Sequence, residues 1–125
     1  MALSDEQMSI VHHPADFHAL VLAVAGSGKS TTMAERIAYL IEALRVDPRH
    51  LIAVMFNRGA SLELAEKLEG RLGKRNAPLS CTYHRLGTLT LKGLEKGGFA
   101  PAWEFEASPI RASYFASNVI EDACH

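Results

Sequence analysis

The feature that most constrains the fold is a glycine-rich turn between an apolar run and an amphipathic stretch. Residues 20–24 read Leu-Val-Leu-Ala-Val, which is typical of a strand covered on both faces. Apolar residues then recur from Met33 to Leu44 at the spacing of a helix. The segment between them contains Gly26-Ser27-Gly28-Lys29-Ser30. We therefore predict a strand, a tight turn and a helix in direct succession.

The composition of this turn suits phosphate binding. The first turn of a helix presents N–H groups that have no partner within the helix, at the positive end of the helix dipole. Glycine allows the backbone to curl so that several N–H groups point at one anion. Lys29 is then predicted to reach the terminal phosphates of a nucleotide, and the Ser30 hydroxyl to bind Mg²⁺. The common form of the motif has glycine six positions before the lysine, where this sequence has Ala23.

The remaining pattern is that of an α/β protein. Residues 51–56 predict a second buried strand and residues 79–82 a third, less apolar one. Strands and helices that alternate in this order predict a parallel sheet with right-handed crossovers. A first helix is predicted after Ser4, which forms a capping box with Gln7, and it should end before Pro14. Further helices are predicted over residues 30–44, 60–72, 84–96 and 109–123, and Gly70 and Gly73 are expected to end the one over 60–72.

Composition and charge limit the class of protein. The chain has 125 residues, 48% hydrophobic and 22% charged, which indicates one globular domain and excludes disorder and a coiled coil. No apolar run approaches the length that crosses a bilayer and no signal peptide is visible, so we expect a cytoplasmic protein without membrane association. Cys81 and Cys124 are expected to be free thiols. The net charge is −1, but residues 58–98 hold eight basic and four acidic side chains.

Four blocks of sequence resemble the N-terminal ATP-binding part of the UvrD/Rep/PcrA-type superfamily-one DNA helicases. The blocks are residues 3–7, 22–30, 53–60 and 82–87, and they stand in the order found in that family. The resemblance implies an α/β, three-layer P-loop NTPase fold of the RecA-like type with a parallel sheet, incomplete in this chain. It also implies that residues 1–108 belong to the motor domain and that residues 109–125 begin a helical insertion or a C-terminal helix.

The resemblance assigns roles to individual residues. Gln7 corresponds to the glutamine that reads adenine, and Lys29 and Ser30 to the catalytic lysine and the Mg²⁺-binding hydroxyl. Phe56 corresponds to an aromatic residue that stacks on a base of single-stranded DNA. The implied ATP-binding set is Gln7, Ala25, Gly26, Ser27, Gly28, Lys29, Ser30 and Thr31. The implied DNA-binding set is Phe56, Asn57, Arg58, Thr82, Tyr83, His84 and Arg85.

The sequence departs from the family pattern at several of these positions. Val24 replaces a glycine and adds bulk beside the turn. Thr31 stands where the family often has an arginine that packs over adenine, so we expect a weaker hold on the base. Arg58-Gly59 replaces the usual Asn-Lys, and Arg85 replaces a serine, which adds a possible phosphate contact.

ATP hydrolysis requires groups that this sequence does not clearly supply. A carboxylate must hold Mg²⁺, another must orient water, and an arginine must neutralise charge on the γ-phosphate. The acidic pair Glu121-Asp122 has the character of a helix surface. We therefore expect the front part of a longer helicase. The resemblance implies that such a helicase couples ATP hydrolysis to movement on single-stranded DNA and to duplex unwinding, and it associates the family with DNA repair. This chain alone should bind Mg-ATP without measurable turnover.

The expected partners are single-stranded DNA or DNA junctions, ATP and the remainder of the helicase polypeptide. Two alternatives remain open at the level of sequence. One is a non-catalytic remnant that binds a nucleotide or a single strand, whose binding of DNA would be unchanged by Lys29→Ala. The other is a small-molecule kinase, although no arginine-rich lid segment is visible.

Overall fold

Two helices are followed by alternating strands and helices along residues 2–99, which are the part of the chain that the computed structural model describes. The predicted helix over residues 109–123 and the boundary at residue 108 lie outside this range. All candidate site residues fall in a compact unit that ends at residue 86, and the described residues from 87 onward belong to a second unit. The elements are α1 (Asp5–Val11), α2 (Lys29–Glu42), a 3-10 turn (Pro48–His50), β1 (Ile52–Met55), α3 (Arg58–Leu72), β2 (Leu79–Thr82) and α4 (Tyr83–Lys96).

The two strands pair in parallel, as the sequence pattern predicts. The register runs from Ile52 opposite Leu79 to Met55 opposite Thr82, so both strands end at the same level. Residues that follow the two strands therefore emerge side by side at the carboxyl end of the sheet. No helix within residues 2–99 has both the length and the apolar character needed to cross a membrane.

The prediction of a buried strand over residues 20–24 is wrong for this structure. These residues form no strand, and the side chains of Leu20, Leu22 and Val24 are 86%, 88% and 78% exposed. A continuous apolar run indicates a preference for burial, but it does not supply the neighbouring strand that its N–H and C=O groups require. In the described part of the chain, β1 and β2 pair only with each other.

The core lies between α3, the sheet and α2. Leu64 and Leu68 of α3 are completely buried, which confirms the four-residue apolar spacing predicted for this helix. The helix ends at Gly73 as predicted, whereas Gly70 remains inside it. The core cluster is Ala34, Ile37, Ala53, Leu64 and Leu68, flanked by Ile41, Leu51, Met55, Leu72 and Ala77.

The buried face of α2 differs from the predicted stripe. Met33 is 40% exposed, and Leu44, which the predicted stripe also included, lies beyond the end of α2 and is 44% exposed. The buried residues are Thr32, Ala34, Ile37 and Ala38. Helix α2 contacts α1 as well as α3, and small side chains allow helices to approach closely on both sides.

A charged cluster joins α2 to α3 at the edge of the core. The Arg71 guanidinium donates to both carboxylate oxygens of Glu42, at 2.9 and 3.0 Å. Arg71 Nε also lies 3.4 Å from a carboxylate oxygen of Glu35. The hydrogen bonds to Glu42, with the nearby charges, raise the pKa of Arg71 above its ordinary value. Because these groups are partly exposed, the cluster contributes about 1 kcal/mol or less.

Candidate functional site

The glycine-rich turn leads directly into the first residue of α2. The Ser27 amide donates to the Val24 carbonyl at 3.3 Å, which closes the turn. Gly26 and Gly28 have φ angles of +78° and +80°, a region in which a side chain would be strained. Gly28 is the N-cap of α2 and Lys29 its first residue. The predicted turn and helix are thus present, although the strand before them is not.

Lys29 extends back over this turn. Its Nζ atom donates to the Ala23 carbonyl at 3.2 Å, and the side chain is exposed. A phosphate oxygen is a stronger acceptor for an ammonium group than a neutral carbonyl, because the bond is then charge-assisted on both sides. The ammonium group therefore lies on the turn, where an anion bound by the backbone would meet it.

Ser30 and Thr31 lie in the first turn of α2, where backbone N–H groups have no partner within the helix. Thr32, which the sequence analysis did not include, is buried, and its Oγ1 donates to the Gly28 carbonyl at 3.0 Å. This bond fixes the peptide at the junction of turn and helix. The sequence contained a signal for this bond, because threonine in a helix can donate to the carbonyl four residues earlier and Thr32 lies four residues after the N-cap.

Gln7 joins α1 to the same turn. The predicted capping box is present, because the Ser4 amide donates to Gln7 Oε1 at 2.8 Å and the Gln7 amide donates to Ser4 Oγ at 3.2 Å. In addition, Gln7 Nε2 donates to the Ser27 carbonyl at 3.0 Å. The capping role and the contact with the turn are thus made by one side chain.

A cavity of about 600 Å³ lies between α1, the first half of α2 and the segment before the turn. Gln7, Lys29 and Arg36 supply polar groups to its lining, and Ile10 and Met33 supply apolar surface. Small-molecule sites typically have volumes of about 300–1,000 Å³ and this mixture of apolar walls and a few polar groups. The cavity is therefore large enough for a nucleotide.

A second group of predicted residues meets at the carboxyl end of the sheet. Phe56 and Tyr83 follow Met55 and Thr82, which are paired across the two strands. Their side chains are 94% and 72% exposed. Two neighbouring exposed aromatic residues at the end of a sheet offer flat apolar surface to a ligand, and bases stack on such surfaces.

Two of the predicted DNA-binding residues cap the helices that follow the strands. Asn57 Oδ1 accepts from the Ala60 amide at 2.8 Å at the start of α3. Thr82 Oγ1 accepts from the Arg85 amide at 3.2 Å at the start of α4. Local capping thus accounts for both side chains, a role that the sequence analysis missed although asparagine and threonine after a strand are frequent N-caps.

Two basic residues of segment 58–98 are paired with acidic residues away from the end of the sheet. Lys67 pairs with Glu63 at 2.9 Å, and Arg71 is held by the charged cluster on α2. Arg58 and Arg85 are exposed and lie in the first turns of α3 and α4, next to the aromatic pair. His84, also exposed, lies between Tyr83 and Arg85. Fewer basic side chains are therefore available to a ligand at the carboxyl end of the sheet than the eight basic residues of segment 58–98 suggest.

Comparison with known proteins identifies the family to which the sequence is similar. The sequence model of the family described as UvrD/REP helicase N-terminal domain matches residues 3–109 of this chain. Similar proteins include the ATP-dependent DNA helicase Rep of Escherichia coli (39% identical over 75 residues, 58% of this chain and 11% of that protein). They also include UvrD1 of Mycobacterium leprae (36%, covering 58% and 9%) and DNA helicase II of Haemophilus influenzae (38%, covering 58% and 10%). The chain spans about a tenth of the length of these relatives.

Proposed function

The chain belongs to the UvrD/REP helicase N-terminal domain family, and we propose that it is the ATP-binding front part of a DNA helicase. The longer protein would couple ATP hydrolysis to movement on single-stranded DNA and to duplex unwinding, in the cytoplasm. The observation that carries the proposal is the turn at Gly26 and Gly28, which leads into α2 with Lys29 as the first helical residue.

The residues of the turn fit a nucleoside triphosphate with Mg²⁺. An ideal Cβ atom on Gly26 would meet no atom within 4 Å, so the backbone is open to a ligand on that side. The amides of the first turn of α2 and the Lys29 ammonium would hold phosphate oxygens, and the Ser30 hydroxyl would serve as a ligand of Mg²⁺. Bound Mg²⁺ neutralises charge on the phosphates. Gln7, whose side chain lines the cavity, would read the base.

The remainder of the polypeptide is proposed to complete the sheet. Residues 20–24 have the composition of a strand buried on both faces, and their leucine side chains are exposed in this chain. An extended apolar segment of this kind can pair as a strand when a neighbouring strand is supplied. Such pairing would give the three-layer, RecA-like fold that the family implies, with the turn and the aromatic pair at one edge.

The proposal for the nucleotide is tested by calorimetric titration of Mg-ATP into the purified chain. We expect binding without release of phosphate, because residues 2–99 contribute no second motor domain to close on the nucleotide. Absence of binding, or binding that does not require Lys29, would contradict the nucleotide site. If Lys29→Ala changes neither the binding of Mg-ATP nor the binding of DNA, a non-catalytic remnant would be favoured.

The aromatic pair should carry single-stranded DNA binding. Each of Phe56→Ala and Tyr83→Ala is expected to weaken binding of a fluorescent oligo(dT) by about 1–3 kcal/mol, or about 5- to 150-fold, because one stacking surface is lost. Fluorescence anisotropy measures this change. Phe17→Ala is the matched control, since Phe17 is 69% exposed but lines the nucleotide cavity. An equal loss in all three variants would contradict a specific platform.

The two arginines beside the aromatic pair should contact DNA phosphates. Each of Arg58→Ala and Arg85→Ala is expected to reduce the slope of log K against log salt concentration by about 0.7, the value for one phosphate contact on a single strand. Arg49→Ala is the control, because Arg49 Nη2 lies 2.7 Å from Asp47 Oδ2 and is already paired with that carboxylate. Slopes that remain unchanged in both test variants would show that these arginines only face solvent.

A further inference from the structure

Arg36 connects α2 to the end of α1. Its Nη1 atom donates to the Val11 carbonyl at 2.8 Å and also to the His13 carbonyl. The guanidinium group is partly buried and lines the same cavity as Gln7 and Lys29. The last carbonyl groups of a helix have no partner within the helix, so a side-chain donor stabilises them. Arg36 thus holds the C-terminal end of α1.

The opposite end of α1 holds the glycine-rich turn. Gln7 Nε2 donates to the Ser27 carbonyl at 3.0 Å, and an ideal Cβ atom on Gly28 would lie 3.1 Å from the same Nε2. Gln7 therefore lies close against the turn, with little free space. Its position depends on the position of α1 as a whole.

Helix α1 has only seven residues, Asp5–Val11. An isolated helix of this length is not stable in water, so tertiary contacts must hold it. Besides Arg36, an edge-to-face contact joins the rings of His12 and Tyr39, with centroids 4.8 Å apart. Both contacts are made by α2, the helix that begins at the glycine-rich turn.

We propose that Arg36 is a positioning residue for recognition of the nucleotide base. It fixes α1 on α2, and α1 in turn sets the place of Gln7 between the turn and the base. Both bonds come from one atom, Nη1, whose two N–H groups can each donate to a different carbonyl oxygen. The inference rests on the proposed function, in which Gln7 reads adenine.

The test compares Arg36→Ala, Arg36→Lys, Gln7→Ala and the double variant Gln7→Ala/Arg36→Ala with the unchanged chain. Affinities for Mg-ATP, Mg-GTP and Mg-tripolyphosphate are measured by calorimetry. Arg71→Ala is the matched control. Arg71 is a partly exposed arginine of α3 that binds Glu42 of α2, and it does not contact α1. Hydrogen exchange without nucleotide is followed at the amides of Met8 and His12, which donate within and at the end of α1.

We expect Arg36→Ala to weaken Mg-ATP about tenfold and to reduce the preference for ATP over GTP to about twofold or less, with Mg-tripolyphosphate unchanged. Exchange at Met8 and His12 should become about tenfold faster. Arg36→Lys should recover part of the base preference. The double variant should bind Mg-ATP no more weakly than Gln7→Ala, because Arg36 acts through Gln7. Arg71→Ala should change neither the base preference nor the exchange.

Three results would overturn the inference. The first is exchange at Met8 and His12 that is unaffected by Arg36→Ala. The second is an effect of Arg36→Ala that adds fully to that of Gln7→Ala, and the third is an equal loss for Mg-tripolyphosphate. Failure of the proposed function can be distinguished from failure of this inference. If the proposed function is wrong, the unchanged chain binds none of the three ligands, but the exchange measurement still shows whether Arg36 holds α1.

Discussion

Lys29→Ala is expected to weaken binding of Mg-ATP by about 1.5–3 kcal/mol, or roughly 10- to 150-fold in Kd. The loss has this size because a charge-assisted hydrogen bond to phosphate would be removed, whereas the amides at the start of α2 would remain. The Lys29 ammonium group already lies over the turn, 3.2 Å from the Ala23 carbonyl. Its removal should therefore leave the fold intact and act on the ligand alone. Calorimetric titration of both proteins with Mg-ATP measures the difference.

Lys67→Ala is the matched control for this experiment. It removes the same charge from a partly exposed position on α3, where Lys67 pairs with Glu63, and it should leave the Kd for Mg-ATP unchanged. A circular dichroism spectrum of each variant shows whether the helices are retained. Equal weakening in both variants would mean that net charge, rather than a phosphate site, governs binding.

Leu64→Ala is expected to lower the free energy of unfolding by about 2–5 kcal/mol. Leu64 is completely buried in the core formed by α3, the sheet and α2. Its truncation removes apolar contacts and leaves a cavity that the short strands on one side cannot fill. Since small domains have a total stability of about 5–15 kcal/mol, this is a large part of the whole. Urea denaturation followed by circular dichroism gives the value.

Leu62→Ala provides the comparison within the same helix. Leu62 is 54% exposed, so its truncation should change the free energy of unfolding by only about 0.5 kcal/mol or less. If Leu64→Ala proves too unstable to fold, Leu64→Met keeps most of the volume and should cost less than about 1.5 kcal/mol. Similar losses for Leu62→Ala and Leu64→Ala would contradict the assignment of this core.

Much of the candidate site could be predicted from the sequence because it depends on neighbouring residues. The turn at Gly26 and Gly28 needs a backbone conformation that glycine adopts easily, and Lys29 follows directly at the start of a helix. The capping box of Ser4 and Gln7 likewise spans only three positions. Such features are local, so residue type and spacing are sufficient to predict them.

Other parts depend on which elements come together in space. Residues 20–24 are apolar on both faces, but pairing as a strand requires a partner, and none of the described strands serves as one. The bond from Gln7 to Ser27 joins residues 20 positions apart, and the bond from Arg36 to Val11 joins residues 25 positions apart. The spacing of residues in the sequence does not reveal such contacts.

The sequence by itself therefore determined the local elements of this protein: the glycine-rich turn, the helix that follows it and the apolar stripe of α3. The tertiary structure alone decided which face of α2 is buried, where α1 is held and which arginines remain at the end of the sheet. The physical reason is the range of the interactions involved. Backbone preferences and caps act over a few residues, whereas packing and long-range hydrogen bonds depend on the arrangement of the whole unit.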